Sequence, residues 1–417
     1  MSQPAPAAPA APVASRRRAA LAFIFVTVVL DVLAIGVVIP VLPKLIKTFL
    51  HGDTAHAAEM LGLFGTVWAL MQFVCSPILG SLSDRFGRRP VILVSNFGLG
   101  LDYIVMALAP TLNWLFLGRV ISGITGASFT TAWAYVADVT PPEKRAAGFG
   151  LVGAAWGLGF ILGPAVGGLL GVVNPRLPFW VAAALTLLNA TYGLFVLPES
   201  LPREKRAPFA WKRANPLGSL VLLRSHHELL GLASVNFLFY LAHQVLQTVF
   251  VLYAGHRYGW STLTVGLTLA LVGICNVIVQ AVLVRPLVAR FGERRTLVTG
   301  LLFGALGLLI FGLAATGTWF WVGVPILSLM GLYGPSMQAI MTRRVGPSEQ
   351  GRLQGANTSI MGITGMIGPG LFTLTFAHFI RPHAGLQLPG APFFLGSLLL
   401  VVALAAALIV TRPGESP

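Results

Sequence analysis

The feature that most constrains this chain is its series of long, near-continuous apolar runs, such as residues 21–42 and 393–410. Each run is long enough to cross the roughly 30 Å hydrocarbon core of a bilayer as an α-helix. Unpaired backbone groups are costly in hydrocarbon, so only helices or a closed barrel can span it. A barrel would show short segments that alternate every second residue, and these runs do not alternate. The sequence therefore predicts an all-α integral membrane protein that needs a lipid bilayer.

Twelve predicted spans follow from these runs, and one longer polar interval divides them into two groups of six. The spans are 20–42, 59–80, 91–109, 113–137, 147–171, 178–197, 229–254, 262–286, 295–315, 319–341, 353–379 and 392–411. The Pro/Ala-rich start of the chain is typical of a disordered segment. We therefore predict a disordered tail at 1–19, a first half at 20–197, a central loop at 198–228 and a second half at 229–411.

The positions of the basic residues predict the orientation of the chain. If both termini are cytoplasmic, 22 of the 28 Lys and Arg residues lie in cytoplasmic segments and five lie outside. Cytoplasmic loops of membrane proteins are enriched in Lys and Arg. This bias predicts a multi-pass protein of the cytoplasmic (inner) membrane with both termini inside. It also accounts for the net charge of +15 without a nucleic-acid partner.

Two landmarks repeat at one offset and indicate that the halves are duplicates. The segment RFGRR at 85–89 recurs as RFGERR at 290–295, and Gly163-Pro164 recurs as Gly368-Pro369, in each case 205 residues later. Parallel halves around a shared midplane site are a transporter architecture. The second copy of the basic segment lacks the acidic residue of the first, because Ala289 replaces Asp84. We therefore expect a gating charge in the first half only.

The strongest motif is GSLSDRFGRRP, which lies between the second and third spans. In this interpretation Gly80 lets two helices approach closely, Gly87 permits a turn that a side chain would block, and Asp84 pairs with an arginine or with a helix N-terminus. Breaking the Asp84 contact would release one half from the other. The alternative is an ordinary positively charged cytoplasmic loop. The motif resembles the short-loop signature of the major facilitator superfamily, carried here by Gly80, Asp84, Arg85, Gly87, Arg88 and Arg89.

A second motif, GLGFILGPAVGG, lies in the fifth predicted span. Small residues at this spacing let helix backbones pack tightly, and a proline bends a helix. It resembles the antiporter motif of the same superfamily, and generic small-residue packing is the alternative. The residues that match are Gly159, Gly163, Pro164, Gly167 and Gly168.

Three charged residues lie inside predicted spans, where charges are costly and usually functional. Asp31 and Asp102 each lie about 11 residues into a span, which is roughly 16 Å deep and near the midplane. Arg119 lies in the fourth span. A carboxylate in a low-dielectric site can bind and release a proton, and a nearby arginine can reverse that preference when the conformation changes. These residues form a candidate proton-coupling group, and a static ion pair between helices is the alternative.

Four amides in the second half are candidate substrate-binding residues. Gln244 and Gln247 lie near one face of the seventh span, and Asn276 and Gln280 lie near one face of the eighth. Hydrogen bonding between helices is an equally good interpretation. We predict no metal and no cofactor, and we find no sequence motif of a membrane enzyme such as H-E-x-x-H, G-x-S-x-G or a P-loop.

Together these residues resemble the tetracycline/proton antiporters of the major facilitator superfamily, and the resemblance covers nearly all of 20–411. It implies a monomeric bundle of two six-helix halves that exports small amphipathic molecules in exchange for protons. Asp31, Asp84, Asp102 and Arg119 match positions that the family uses for coupling, gating and binding. Asn276 and Gly304, in contrast, stand where the family has a histidine and an aspartate. The alternatives are transport of another metabolite, import, a membrane enzyme or a non-transporting receptor.

Overall fold

The structure is a computed structural model, and it describes residues 13–126, 129–140, 145–209, 211, 215–225, 227–346, 349–382 and 385–411. These residues form helices and connecting turns, with no β-strand among them. In chain order the α-helices are α1 (Val13–Val38), α2 (Leu42–Phe49), α3 (Thr54–Phe86), α4 (Arg88–Leu108), α5 (Leu112–Thr125), α6 (Phe129–Val139), α7 (Arg145–Val173), α8 (Leu177–Val196), α9 (Val221–Ser225), α10 (His227–Thr248), α11 (Phe250–Tyr258), α12 (Thr262–Ile278), α13 (Val284–Leu313), α14 (Gly317–Ser328), α15 (Tyr333–Thr342), α16 (Gln350–Ile380) and α17 (Ala391–Val410).

The predicted all-α membrane fold is confirmed. Ten helical segments of the described chain are long and apolar enough to cross a membrane. One of them, Thr262–Leu313, has 52 residues and contains two predicted spans, because helix continues through the turn between them. The predicted span 113–137 corresponds to α5 and α6, which are separated by residues outside the described ranges. Both observations account for the difference between ten segments and twelve predicted spans.

The beginning of the chain differs from the prediction in its boundaries. Residues 1–12 of the predicted tail lie outside the described residues, and α1 already begins at Val13. The first span was predicted to end at residue 42, but α1 ends at Val38 and α2 follows it. Pro40 and Pro43 cause this break, because a proline has no amide hydrogen to donate within a helix. Lys44 and Lys47 consequently lie on α2 and not in a loop.

The described hydrogen bonds and ion pairs between the two halves lie toward one membrane face. On α3, Thr66 donates a hydrogen bond of 3.0 Å to the Met366 carbonyl of α16, and Glu59 forms an ion pair with Arg381. Both contacts lie in the part of α3 that is distant from the Gly80–Pro90 loop. We call the face that carries this loop the motif face and the other the opposite face. The halves therefore touch at the opposite face.

Candidate functional site

A cavity of about 500 Å³ lies between the two halves. It receives residues from α1, α3, α4 and α5 on one side and from α10, α12 and the segment after α14 on the other. Its wall is mainly apolar and aromatic, with a few polar groups, which is the usual composition of a small-molecule site. The polar residues that line it are Gln72, Tyr103, Arg119, Ser122, His243, Gln247, Thr248, Asn276, Gln280 and Ser328.

Three of the four predicted substrate-binding amides line this cavity, and the fourth does not. Gln247, Asn276 and Gln280 are in the wall. The Gln244 side chain instead lies against α16, where a methyl group added at Gly365 would be 3.6 Å from its amide nitrogen. The three-residue step from Gln244 to Gln247 turns the side chain by about 60° around the helix. That rotation is enough to place Gln247 in the cavity and Gln244 against the neighbouring helix.

The backbone around Gln280 is irregular. Residues Val279–Leu283 form a π-helical turn between α12 and α13, and the Gln280 amide donates a hydrogen bond of 3.0 Å to the Gly331 carbonyl. Gly331 belongs to a 3₁₀ turn at Leu329–Leu332. Insertions of this type inside helices occur frequently at functional sites. Two irregular turns of the second half thus meet at the cavity wall.

Sequence reasoning missed several polar residues of the wall. Gln72 lies within α3, Ser122 within α5 and Ser328 at the end of α14. Each is a polar residue inside a predicted apolar span, and that signal was available in the sequence. A single serine in such a span usually bonds its own helix, so the signal is weak without coordinates.

Asp31 is held by a hydrogen-bonded group next to the first half's core. It is 6% exposed, and its carboxylate accepts a hydrogen bond of 3.1 Å from the Asn189 amide of α8. Asn189 is held in turn by Thr27, whose hydroxyl donates to the Asn189 side-chain oxygen over 3.2 Å. The group contains no cation. Asp31 can therefore exchange a proton without breaking an ion pair.

Asp102 and Arg119 lie near each other but form no ion pair in this conformation. Asp102 is 1% exposed, and neither of its oxygens has a hydrogen-bond partner among the described residues. The Arg119 guanidinium lies 3.2 Å from the Met106 sulfur and lines the cavity. This conformation therefore contains no ion pair between Asp102 and Arg119 that would lock α4 to α5. An unpaired buried carboxylate is costly in its charged form, and this conformation supplies Asp102 with no hydrogen-bond partner among the described residues.

The repeat offset of 205 also relates Asp31 to a polar residue of the second half. Its counterpart is Asn236 of α10, which is 3% exposed. The Asn236 amide donates to the Asn357 side-chain oxygen over 3.0 Å, and the Tyr333 hydroxyl donates to the Asn236 oxygen over 3.1 Å. The second half therefore keeps a buried polar group at this position but carries no acid there.

The gating motif forms a compact charged cluster at the motif face. Asp84 pairs with Arg88 over 2.6 Å, and Arg88 also pairs with Asp138 of α6 over 3.1 Å. The Glu199 carboxylate accepts hydrogen bonds from the backbone amides of Arg88, at 2.8 Å, and Arg89, at 3.3 Å. Sequence reasoning missed Asp138 and Glu199, although both are acidic residues that directly follow predicted spans on the basic face.

The two glycines of the motif have different surroundings in this conformation. Gly87 has φ 105°, a conformation that favours glycine, and so permits the predicted turn. An added methyl group at Gly80 would meet nothing within 4 Å. Gly80 therefore does not serve close helix approach in this conformation. The described hydrogen bonds and ion pairs of Asp84 also stay within the first half and the central loop, with no bond to the second half.

The second copy of the motif carries an ion pair of reversed polarity. Gly292, the counterpart of Gly87, has φ 80° and forms the same turn. Glu293 pairs with Arg343 over 2.5 Å. At the offset of 205, Glu293 corresponds to Arg88 and Arg343 to Asp138. The second half therefore has no acid at the position of Asp84, where Ala289 stands, but it keeps the Arg88–Asp138 contact with its signs exchanged.

The antiporter motif packs α7 against helices of both halves. A methyl group added at Gly159 would lie 2.7 Å from the Val32 side chain of α1, and one at Gly163 would lie 2.7 Å from the Gly36 Cα atom. One at Gly168 would lie 3.1 Å from the Gly266 Cα atom of α12. Pro164 lies against both helices, and a methyl group added at Gly167 would overlap the Val37 backbone of α1. The small-residue packing role of the motif is thus present, and it includes a contact between the halves.

The bundle of membrane-spanning helices and the cavity between its halves are those of a membrane transport protein. The family model of the Major Facilitator Superfamily matches residues 24–369 and again 232–417. The chain therefore belongs to the major facilitator superfamily, and it is a multi-pass membrane transport protein, not an enzyme. Among solved structures it is similar to a bacterial homolog of the human lysosomal transporter Spinster in an inward-facing, unoccupied conformation. The TM-score is 0.75 at 17% identity, over 98% of this chain and 100% of that one.

Within the superfamily, the chain is similar to tetracycline resistance proteins. It is 39% identical over 390 residues to the class C protein of Escherichia coli, which covers 93% of this chain and 96% of that protein. It is 33% identical over 379 residues to the class B protein of Escherichia coli, over 90% of this chain and 93% of that protein. The predicted family resemblance is confirmed.

Proposed function

We propose that this protein is a proton-coupled antiporter that exports small amphipathic drug-like molecules, tetracycline-like or more varied, across the cytoplasmic membrane. Its termini lie in the cytoplasm, and it works as a monomer. The observation that carries the proposal is the position of Asp31 and Asp102, two buried carboxylates that form no ion pair among the described residues, in the half that also supplies Arg119 to the cavity. The names of its tetracycline resistance relatives support a drug as the substrate.

The distribution of acids makes the first half the proton-carrying half. The described acidic residues from position 228 onward are Glu228, the last residue of the predicted central loop, and Glu293 and Glu349 of the second half. Glu228 lies in the first turn of α10 and pairs with Arg344 over 2.7 Å, and Glu293 follows the turn at Gly292. None of the three lies within a predicted span. Proton binding within the membrane therefore falls to Asp31 and Asp102.

The arrangement of the halves fits alternating access. With the termini in the cytoplasm, the motif face is cytoplasmic and the contacts between halves close the outer face. In this state a cytoplasmic molecule can reach the cavity, where Gln247, Asn276 and Gln280 offer donors and acceptors. Proton uptake from outside at Asp31 or Asp102 would follow after the halves rock and the outer face opens.

Everted membrane vesicles test this proposal directly. In such vesicles an imposed pH gradient, acid inside, should drive accumulation of tetracycline or of another member of a broad drug panel, and nigericin should abolish it. Cells that express the chain should show raised resistance to the same compound. Accumulation that persists after the pH gradient is collapsed, or no accumulation of any compound in the panel, would contradict the proposal.

A further inference from the structure

A second pocket lies at the opposite face, between α2 of the first half and α11 of the second. Its volume is about 530 Å³, within the range of small-molecule sites. Val251 lines both this pocket and the central cavity. The two spaces are therefore neighbours along one route between the halves, and we call this second space the outer pocket.

The outer pocket has a one-sided charge. Lys44 and Lys47 line it from one face of α2, three residues apart, and His51 and His256 line it as well. No acidic residue is in its described wall. Partial burial lowers the pKa of His256, and the nearby cations Lys47 and Arg257 lower it further. His256 thus contributes a neutral ring, and the two lysines supply the positive charge.

The acids closest in the chain are bound to other partners. Asp53 caps α3 by accepting a hydrogen bond of 3.0 Å from the His56 amide, and it also contacts the His56 ring over 3.2 Å. Glu59 is paired with Arg381. Neither carboxylate is in the wall of the outer pocket. The lysines consequently have no counter-charge from the described wall when the halves are closed around them.

The rest of the wall suits an apolar body. Trp260 lines the pocket beside Val251 and Val265, and its ring is held by Tyr258, with ring centroids 5.2 Å apart, and by Trp321, at 5.6 Å. A rigid aromatic surface next to two lysines matches an amphipathic anion.

We propose that the outer pocket is a second binding site on the transport route, and that it takes an amphipathic anion. Lys44 and Lys47 bind the acidic group, a carboxylate or phosphate, and Trp260 packs against the apolar body. The site rests on the proposed function only in being placed on an export route. Binding itself needs no transport and can be measured on the purified protein, so failure of one does not imply failure of the other.

Two dyes with the same ring system and opposite charge test the site. Fluorescein is an amphipathic anion and rhodamine 123 is an amphipathic cation. Fluorescence anisotropy of each dye with the purified full-length protein should show tighter binding of fluorescein. Lys44→Gln/Lys47→Gln should weaken fluorescein binding by about tenfold, because each of the two solvent-accessible lysines loses one charge contact with the dye. It should leave rhodamine 123 binding unchanged or slightly tighter.

Matched variants separate charge from fold. Lys44→Arg/Lys47→Arg keeps both charges and should bind fluorescein like the parent. His378→Gln changes an exposed residue of the same membrane face outside the pocket and should also bind like the parent. The thermal unfolding midpoint of each variant checks that it is folded. Equal fluorescein affinity in the parent and the Lys44→Gln/Lys47→Gln variant, or an equal loss of rhodamine 123 affinity in that variant, would overturn the proposal.

The anionic group could come from a soluble molecule or from a lipid headgroup, and nanodisc composition distinguishes them. Fluorescein binding that depends on the lysines and persists in phosphatidylglycerol nanodiscs assigns the site to a soluble anion. Binding that depends on the lysines in phosphatidylcholine but disappears in phosphatidylglycerol assigns it to a lipid phosphate. Both results support an amphipathic-anion site, and binding independent of the lysines in both lipids contradicts it.

Discussion

We expect a methyl group added at Gly266 to open the opposite face of this transporter, which the proposed orientation places outside the cell. Gly266 of α12 lies against α7, and its added Cβ would be 3.1 Å from the Gly168 Cα atom and would overlap the Pro164 carbonyl. Overpacking of this type costs about 1–3 kcal/mol. The cost falls only on the conformation in which α7 and α12 touch here. Gly266→Ala should therefore shift the ratio of the two conformations by roughly 5- to 150-fold toward the outward-open one.

Cysteine accessibility in intact cells measures that shift. Leu246 lines the central cavity from α10, so Leu246→Cys reports whether the cavity is open to the outside. The parent should carry Cys75→Ser and Cys275→Ser, because both native cysteines are free. A membrane-impermeant maleimide should label Leu246→Cys slowly in the parent. In the Gly266→Ala background the labelling rate should rise at least fivefold.

Gly153 of α7 provides the matched control. An added methyl group there would meet nothing within 4 Å, so Gly153→Ala should leave the labelling rate unchanged. If Gly266→Ala and Gly153→Ala label at the same rate as the parent, contact between α7 and α12 does not close the outer face. The conformational account would then be refuted even if the protein transports normally.

Three further predictions concern the motif, the topology and a helix cap. Asp84→Asn should leave the protein folded and inserted but slow transport, because Arg88 loses its 2.6 Å ion-pair partner. Unchanged transport rates in vesicles would contradict the gating role and favour the alternative of an ordinary basic loop. A reporter fused after Thr411 should report the cytoplasm and one inserted at 110–112 the outside, and the reverse pattern would overturn the orientation. The His56 amide holds the pKa of Asp53 below its usual value of 3.8, so this cap stabilises the protein at neutral pH and is lost as the pH falls below about 4. Asp53→Ala should cost about 1 kcal/mol of stability at pH 7. A thermal unfolding midpoint equal to that of the parent at pH 7 would show that the Asp53 cap does not stabilise the protein.

Much of the fold could be predicted from the sequence because lipid leaves few choices. Apolar runs of sufficient length must become helices, and the offset of 205 already relates the two halves. The same offset correctly relates the turns at Gly87 and Gly292. It could not show that the ion pair beyond the second turn survives with reversed signs, because the position that corresponds to Asp84 holds Ala289.

The site was less predictable because it depends on which face of each helix meets the cavity. Gln244 and Gln247 are three residues apart, and only the coordinates show that one faces α16 and the other the cavity. Depth along a helix predicted that Asp102 and Arg119 lie inside the membrane. It could not predict that the two side chains remain unpaired in this conformation, since that depends on the distance between α4 and α5.

The proton-carrying role of Asp31 and Asp102 is the central claim, and proteoliposomes test it most directly. Asn at position 31 can still accept the hydrogen bond from Asn189, and Asp102 has no described hydrogen bond to lose, so both Asp→Asn variants should fold. Expression and thermal midpoint must be checked first. Asp31→Asn or Asp102→Asn should abolish uphill accumulation of substrate driven by a pH gradient. Downhill exchange of substrate should partly survive, because exchange requires rocking of the halves but no net proton release. Full uphill transport in both variants would show that neither carboxylate carries the proton, and a parallel loss of both activities in step with stability would show that the carboxylates serve only the fold.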